Sequence, residues 1–174
     1  MNIIEVLADK STKPLEKRNA IADAIFNGII KIQDLAALGI ENKKLALVFE
    51  AIEELSSKHT DMTDLHWLRF AEKHLQSQDN NIKRETARIV GNIAHLFPND
   101  LETIIPKLIE NTNNESTVIR WSCAYALGRI VALPKYAKSK LYDQIIILAE
   151  KEQMNGNKNQ YINGLKKANK LRNL

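Results

Sequence analysis

Apolar residues recur at intervals of three or four along nearly the whole chain, which is the spacing that places side chains on one face of an α-helix. The stripes are clearest over residues 65–75, 82–96 and 101–109. Alternation of apolar and polar residues, the pattern of a half-buried strand, is not sustained over any useful length. The hydrophobic pattern therefore predicts an all-α protein.

Polar or proline-containing segments separate the apolar stripes and predict where helices end. Asp64 and Asp79 are suited to cap the helices that follow them, and Pro134 is suited to end the helix before it. Asn155-Gly156-Asn157 has the composition of a tight turn. The expected helices cover residues 15–27, 31–38, 42–57, 64–77, 81–96, 100–111, 117–132, 137–153 and 158–171, with a short helix near 2–8.

One segment of the chain is repeated at a fixed interval of 37 residues. The matched pairs are Ile82 and Ile119, Lys83 and Arg120, Ala87 and Ala124, Val90 and Leu127, Gly91 and Gly128, and Ile93 and Ile130. A weaker copy lies upstream, with its core at Ala46, Phe49 and Ile52, and a degraded copy lies downstream, with its core at Ile162, Leu165 and Ala168. Repetition with a period of roughly 33–47 residues is typical of stacked helical hairpins.

The glycines of this repeat lie inside predicted helices, where glycine costs about 1 kcal/mol relative to alanine. Their recurrence at equivalent positions, Gly91 and Gly128, indicates that neighbouring helices approach closely there.

The repeated segments resemble the second helix of HEAT repeats, in which an aliphatic and a basic residue are followed by alanine and a leucine-glycine step. Asp79 stands where that family places its inter-repeat aspartate, and Ile104-Ile105-Pro106 resembles the family's first helix with its proline. The resemblance is good over residues 62–133 and loose elsewhere. Ser116 replaces the aspartate in the next repeat, so an interruption of the Asp-to-Arg ladder is expected there.

The resemblance implies an α-α superhelix, or solenoid, of about four HEAT-like helical hairpins. A single domain would span residues 1–174, with residues 1–40 as an irregular N-terminal cap and residues 41–171 as the hairpin repeats. Terminal repeats of such proteins are often atypical because they have one neighbour instead of two.

Composition narrows the classes of function further. The net charge is +4, and from Lys151 onward six basic residues face one acidic residue, which permits anionic partners without requiring them. The single cysteine, Cys123, excludes an intramolecular disulfide and a multi-cysteine metal site. The sequence begins without a basic, apolar leader and has no stretch that could span a bilayer, so we expect a cytoplasmic protein with no membrane partner.

Signatures of catalysis and of metal binding are missing from the sequence. The four histidines, His59, His66, His74 and His95, show no i, i+4 pairing, and no HExxH, P-loop, GxGxxG or GxSxG motif occurs. We therefore expect no enzymatic activity, no metal and no small-molecule cofactor.

The second helices carry a row of basic, amide and aromatic residues at positions that point away from the predicted stacking core. Stacked repeats would align these residues on the inner wall of a solenoid, where arginine and aromatic side chains are typical of binding surfaces. The alternative is that the aromatic rings fill a groove between repeats and the arginines are solvated. The predicted partner-binding residues are Arg84, Arg88, Asn92, Trp121, Tyr125, Arg129 and Lys167, with His95, Asn159 and Asn163 beside them.

Three functions are compatible with such a row. The first is a non-catalytic scaffold that presents a basic and aromatic concave surface to an acidic peptide or protein. The second is nucleic-acid binding, as in the HEAT-like DNA-repair glycosylases, whose concave face also carries a catalytic acid. The predicted row contains no acidic residue, and Glu85 lies one position away from it. The third is an accessory role in cofactor attachment, which no residue pattern here supports.

Overall fold

The computed structural model describes residues 2–40 and 42–173, without the side chains of Asn42 and Lys43. The predicted boundary between cap and repeats, at residue 41, lies outside the described residues. The described residues form α-helices and two 3₁₀ turns, at Thr60–Met62 and Ala94–Leu96, and contain no strand. The helices are α1 Ile3–Ala8, α2 Pro14–Phe26, α3 Ile32–Ala37, α4 Asn42–Lys58, α5 Leu65–His74, α6 Asn80–Ile93, α7 Ile104–Asn111, α8 Thr117–Val131, α9 Pro134–Ala137, α10 Lys140–Lys151 and α11 Asn155–Arg172.

The all-α prediction is confirmed for the described residues, and each expected helix has a counterpart. The predicted caps form, because the Asp64 carboxylate accepts from the His66 N–H and the Asp79 carboxylate accepts from two backbone N–H groups. The helix predicted at 137–153 begins three residues later, as α10, and a short helix that was not predicted, α9, precedes it. Pro134 occupies the first turn of α9, where a backbone N–H would have no acceptor within the helix, so the missing N–H of proline costs nothing. The Ser139 hydroxyl caps α10.

The turn predicted at Asn155-Gly156-Asn157 is wrong, because these residues form the first turn of α11. The Asn157 side chain is buried and donates to the Thr117 carbonyl at 3.2 Å and to the Glu152 carboxylate at 3.3 Å. These bonds tie the start of α11 to α8, so a polar, glycine-containing segment is held in helical form by tertiary contacts.

The five helices α2, α4, α6, α8 and α11 contact one another in chain order, each packing on the next. Three further helices pack against members of this series, α5 on α6, α7 on α8 and α10 on α11. The N-terminal α2 takes part in the series through its packing on α4, and α3 packs on α5. In the pairs α5–α6, α7–α8 and α10–α11, the second helix of each pair therefore packs beside the second helix of the next pair.

The repeated residues occupy equivalent environments. All of the small and apolar residues of the matched pairs are buried, including Ala87 and Ala124 at 0% exposure. The copy in α11 agrees with the predicted one at Ala168, which is fully buried, but differs from it nearer the start of the helix. Tyr161, at 1% exposure, takes a core position, while Ile162 is only partly buried.

Glycine permits the closest approaches between successive helices, as the sequence predicted. A Cβ atom at Gly91 of α6 would lie 2.7 Å from ring atoms of Tyr125 on α8. Gly128 of α8 and Gly164 of α11 are in mutual backbone contact, so that a Cβ atom on either would overlap the facing backbone. The helices α8 and α11 therefore pack at a separation that only glycine allows at this crossing.

An ion pair joins the last two pairs of helices. Ser116 makes no side-chain cap bond to α8. Arg120 instead reaches forward, donating through Nε to the Glu152 carboxylate at 3.1 Å. Burial alone would raise the pKa of Glu152, but the hydrogen bonds from Arg120, the Met154 N–H and Asn157 lower it below its ordinary value.

Candidate functional site

The predicted row of side chains lies on α6, α8 and α11, and the structure divides it into two environments. On α6, Arg84 and Arg88 lie one helical turn apart. On α8, Trp121, Tyr125 and Arg129 follow one another at four-residue spacing, which places them on one face of the helix.

The three residues on α8 are stacked. The rings of Trp121 and Tyr125 are 5.4 Å apart with an interplanar angle of 14°. The Arg129 guanidinium carbon lies 4.3 Å from the centre of the Tyr125 ring, on which it can form a cation–π contact. Both aromatic side chains are half-buried and Arg129 is exposed. The stack holds the guanidinium against a rigid surface and leaves its donor edge accessible.

Asn92 does not present its amide to solvent as predicted, since it is buried at 3% exposure. Its Oδ1 accepts from the Tyr125 hydroxyl at 2.6 Å, and its Nδ2 donates to the Ser56 hydroxyl at 3.0 Å. Asn92 therefore links α4, α6 and α8, because the ring of Tyr125 extends from α8 across α6 at Gly91. The prediction of Asn92 as a partner-binding residue is corrected to a structural residue that fixes Tyr125.

A recess of about 350 Å³ lies between α8 and α11. We call it the α8–α11 recess. It includes Tyr125, Arg129 and Lys167 from the predicted row, and the flanking His95 and Asn163. Its lining residues are Gly91, His95, Tyr125, Gly128, Arg129, Ala132, Leu133, Gln160, Asn163, Gly164 and Lys167.

In the described part of the chain, the lining of this recess contains cationic and amide side chains but no aspartate or glutamate. Arg129 and Lys167 are exposed, and neither forms an ion pair with any carboxylate of residues 2–40 and 42–173. Burial raises the pKa of Tyr125 above its ordinary value, although Arg129 acts to lower it, so the phenol stays a neutral donor to Asn92. The recess therefore has an uncompensated positive charge.

Arg84 and Arg88 line a different hollow, between α4 and α6, which we call the α4–α6 hollow. Arg88 pairs with Glu53 at 2.9 Å and with Glu85 at 3.5 Å. Arg84 pairs with Glu85 at 2.5 Å and with Glu50 at 3.6 Å. At this end of the row the basic charge is therefore matched, because carboxylates from α4 and from α6 itself pair with both arginines.

Glu85 is adjacent in sequence to a residue of the predicted row, and its carboxylate forms ion pairs with both Arg84 and Arg88. It is 3% exposed. Burial raises the pKa of Glu85 above its ordinary value, although Arg84 and Arg88 act to lower it, and the nearby Glu53 adds to the increase. In the α4–α6 hollow, the charges of both arginines are thus matched by glutamate side chains.

Sequence reasoning missed Gln160, which lines the recess, and included Asn159, which does not. Both lie on α11, where Tyr161 and Gly164 take the buried positions that the prediction gave to Ile162 and Leu165. Gly164 could have located Gln160 in the sequence. If Gly164 is matched with Gly128, it faces α8, and Gln160 and Lys167, one turn away on either side, share that face. Trp121 is stacked on Tyr125 but lies outside the lining of the recess.

Among the described residues, no group of three or more histidine, cysteine, aspartate or glutamate side chains could hold a metal ion. In the same part of the chain, no helix combines the length and apolar character needed to cross a membrane.

Comparison with known proteins gives a structural neighbour but no family. No protein-family model matches the sequence, and no curated protein matches it. The fold is similar to that in the crystal structure of an engineered protein from the Northeast Structural Genomics Consortium, with a TM-score of 0.73 and 15% sequence identity. The match covers 97% of this chain and 78% of that one. At this identity the likeness concerns the fold alone.

Proposed function

We propose that the chain is a HEAT-like solenoid of about four helical hairpins that binds an acidic segment of a protein partner without catalysing a reaction. The repeat of 37 residues supports the solenoid, as does the chain-order packing of α2, α4, α6, α8 and α11. In such an arrangement the exposed side chains of these helices form one extended surface.

The observation that carries the proposal is the pairing of unneutralised cations with a fixed aromatic stack in the α8–α11 recess. Arg129 and Lys167 have no carboxylate partner within residues 2–40 and 42–173, and Tyr125 is held by its hydrogen bond to Asn92. A charge-assisted hydrogen bond to an incoming carboxylate is stronger than a neutral one. The site is preorganised, so a partner would lose little binding free energy to ordering of Tyr125 and Arg129.

The residues of the row would have different roles in this function. Arg129 and Lys167 would bind carboxylates, and Trp121 and Tyr125 would supply rigid contact area. Arg84 and Arg88 would contribute less, since their charges are already matched by Glu50, Glu53 and Glu85. A nucleic-acid partner is less well supported because the α4–α6 hollow interrupts the basic surface that a phosphate backbone would follow.

The test is fluorescence anisotropy of the purified protein with fluorescein-labelled octaglutamate and, separately, with labelled duplex DNA at low salt. We expect saturable binding of the peptide, weakened about tenfold or more by Arg129→Ala or Lys167→Ala, in line with roughly 1.5–3 kcal/mol for a hydrogen bond to a charged group. Lys166→Ala is the matched control: this neighbouring lysine of α11 is also exposed but does not line the recess.

Two outcomes would overturn the proposal. One is the absence of saturable peptide binding by a folded wild-type protein. The other is tight binding of the duplex with a steep salt dependence that Arg129→Ala reduces, which would identify nucleic acid as the partner.

A further inference from the structure

The donors of the α8–α11 recess come from three separate elements and converge on one space. Arg129 extends from α8, Asn163 and Lys167 extend from successive turns of α11, and His95 lies in the 3₁₀ turn after α6. Arginine, lysine and the asparagine amide all offer N–H groups. A single carboxylate could neutralise one of the two permanent cations and would leave the other unmatched.

The charge of this recess contrasts with that of the neighbouring α4–α6 hollow. Of the residues that the structure describes, four glutamates line that hollow together with its basic residues, whereas no acidic residue lines the recess. Arg129 and Lys167 therefore give the recess a charge close to +2. A phosphorylated side chain carries about −1.5 to −2 at neutral pH and offers three acceptor oxygens, so its charge and its acceptor number both match the recess.

The geometry also suits a phosphoryl group. The guanidinium of Arg129 is a planar fork of donors that matches the oxygens of phosphate in a bidentate manner. Its plane is held by the Tyr125 ring at 4.3 Å, and the ring is held by the Asn92 hydrogen bond at 2.6 Å. Ala132 and Leu133 add apolar surface on which the carbon atoms of a side chain could rest.

We propose that the α8–α11 recess binds the phosphomonoester dianion of a phosphorylated side chain on the protein partner. This rests on the proposed function, because it specifies which anionic group of an acidic partner occupies the recess. Arg129 binds the phosphoryl oxygens through its fork, Lys167 neutralises the second charge, and Asn163 donates to a remaining oxygen.

Two small probes test the dianion directly in the full chain. Phenyl phosphate and benzoate share a ring and differ in the charge and oxygen number of the anion, and binding of each is measured by titration calorimetry. We expect phenyl phosphate to bind about tenfold more tightly, which corresponds to roughly 1.4 kcal/mol. This preference should disappear in Arg129→Ala and in Lys167→Ala, and should remain in Lys166→Ala.

A peptide pair tests whether the dianion belongs to a protein partner. Labelled octaglutamate is compared with the same peptide carrying one phosphotyrosine in place of a central glutamate. We expect the phosphopeptide to bind about tenfold more tightly, with the difference lost in Arg129→Ala. Circular dichroism of each variant establishes that it is folded before its binding is interpreted.

The outcomes separate this inference from the broader proposal. Octaglutamate binding without any preference for phenyl phosphate over benzoate, or for the phosphopeptide, overturns the phosphomonoester assignment and leaves the acidic-partner function standing. A phosphate preference that depends on Arg129, with no binding of octaglutamate, supports the assignment and overturns recognition of carboxylate-rich partners. Equal or tighter binding of a thymidine dinucleotide, whose phosphodiester has a single charge, also overturns the assignment and favours nucleic acid.

Discussion

The Tyr125 hydroxyl donates a hydrogen bond of 2.6 Å to the side-chain oxygen of Asn92, which lies 33 residues earlier in the chain. Asn92 in turn donates to Ser56 on α4, whose hydroxyl is fully buried. This chain of bonds crosses three successive helices and sets the position of the ring on which Arg129 rests. A buried polar network of this kind is stabilising only while every member is satisfied.

Removal of the Asn92 side chain should destabilise the protein. Asn92→Ala leaves the Tyr125 and Ser56 hydroxyls without this partner, and we expect a loss of about 2–3 kcal/mol in the free energy of unfolding, measured with urea. Tyr125→Phe should cost about 1–2 kcal/mol. Asn159→Ala, an exposed amide on α11, is the control and should change stability by less than about 0.5 kcal/mol. Strict additivity in the Asn92 and Tyr125 double mutant would contradict a shared network.

The glycine contact between α8 and α11 should tolerate no side chain. Gly128→Ala or Gly164→Ala places a Cβ atom into the facing backbone, and we expect a loss of about 3 kcal/mol or failure to fold, because overpacking against backbone cannot be relieved by a rotamer change. Gly156→Ala is the control, since no atom lies within 4 Å of the added Cβ. That variant should gain up to about 1 kcal/mol by restricting the unfolded chain. Thermal unfolding followed by circular dichroism measures all three, and equal melting temperatures would contradict the predicted contact.

The buried carboxyl of Glu85 should make stability fall as pH rises. Burial raises its pKa in the folded state above the ordinary value, so the folded protein keeps this proton to a higher pH than the unfolded chain does. The contribution of Glu85 is therefore most favourable at low pH and declines as pH rises through the raised pKa. As pH rises from the ordinary glutamate pKa of about 4.3 toward the raised pKa of the folded state, Glu85→Gln should gain stability relative to the wild type.

Glu54 provides a control of opposite sign for this measurement. The hydrogen bond from Lys58 lowers the pKa of Glu54, and the charges of Arg18 and Lys58 act in the same direction. Its contribution is present above its ordinary pKa and is lost as pH falls. Glu54→Gln should therefore be less stable than the wild type at pH values above the ordinary glutamate pKa of about 4.3, and this difference should shrink as pH falls below that value, when both variants are unfolded with urea at each pH. Parallel curves for the two variants would contradict the assigned environments.

The thiol of Cys123 should be unreactive in the folded protein. It is fully buried, and burial raises its pKa to about 12, so almost no thiolate exists at neutral pH. We expect a disulfide-exchange reagent such as dithionitrobenzoate to modify Cys123 only as fast as the protein opens, with rapid reaction in denaturing urea. Stoichiometric reaction of the native protein within the mixing time would show that α8 is not packed as described.

Much of the fold could be predicted from the local sequence pattern. Helix positions and the caps at Asp64 and Asp79 depend on residues within one or two turns, so they can be recognised in the sequence. The pairing of Ile82 with Ile119 also predicted burial correctly, because both residues occupy the same face of equivalent helices.

The candidate site was only partly predictable. The sequence located Tyr125, Arg129 and Lys167 through their helical spacing, and the structure places them around one recess. It did not reveal that Glu53, 35 residues away on another helix, neutralises Arg88. Spacing along a helix indicates which side chains share a face, but it does not indicate which charges on neighbouring helices lie within reach of them.

The sequence by itself determined that the described residues form helices, which of their faces are apolar, and where the repeated small residues lie. Only the tertiary structure decided that Asn92 is buried beneath Tyr125, that Tyr161 rather than Ile162 enters the core, and that the cations at one end of the row have no carboxylate partner among the described residues. These features depend on the rotation and separation of adjacent helices. Contacts such as that of Gly128 with Gly164 set both quantities, and a displacement of one residue is enough to exchange a buried side chain for an exposed one.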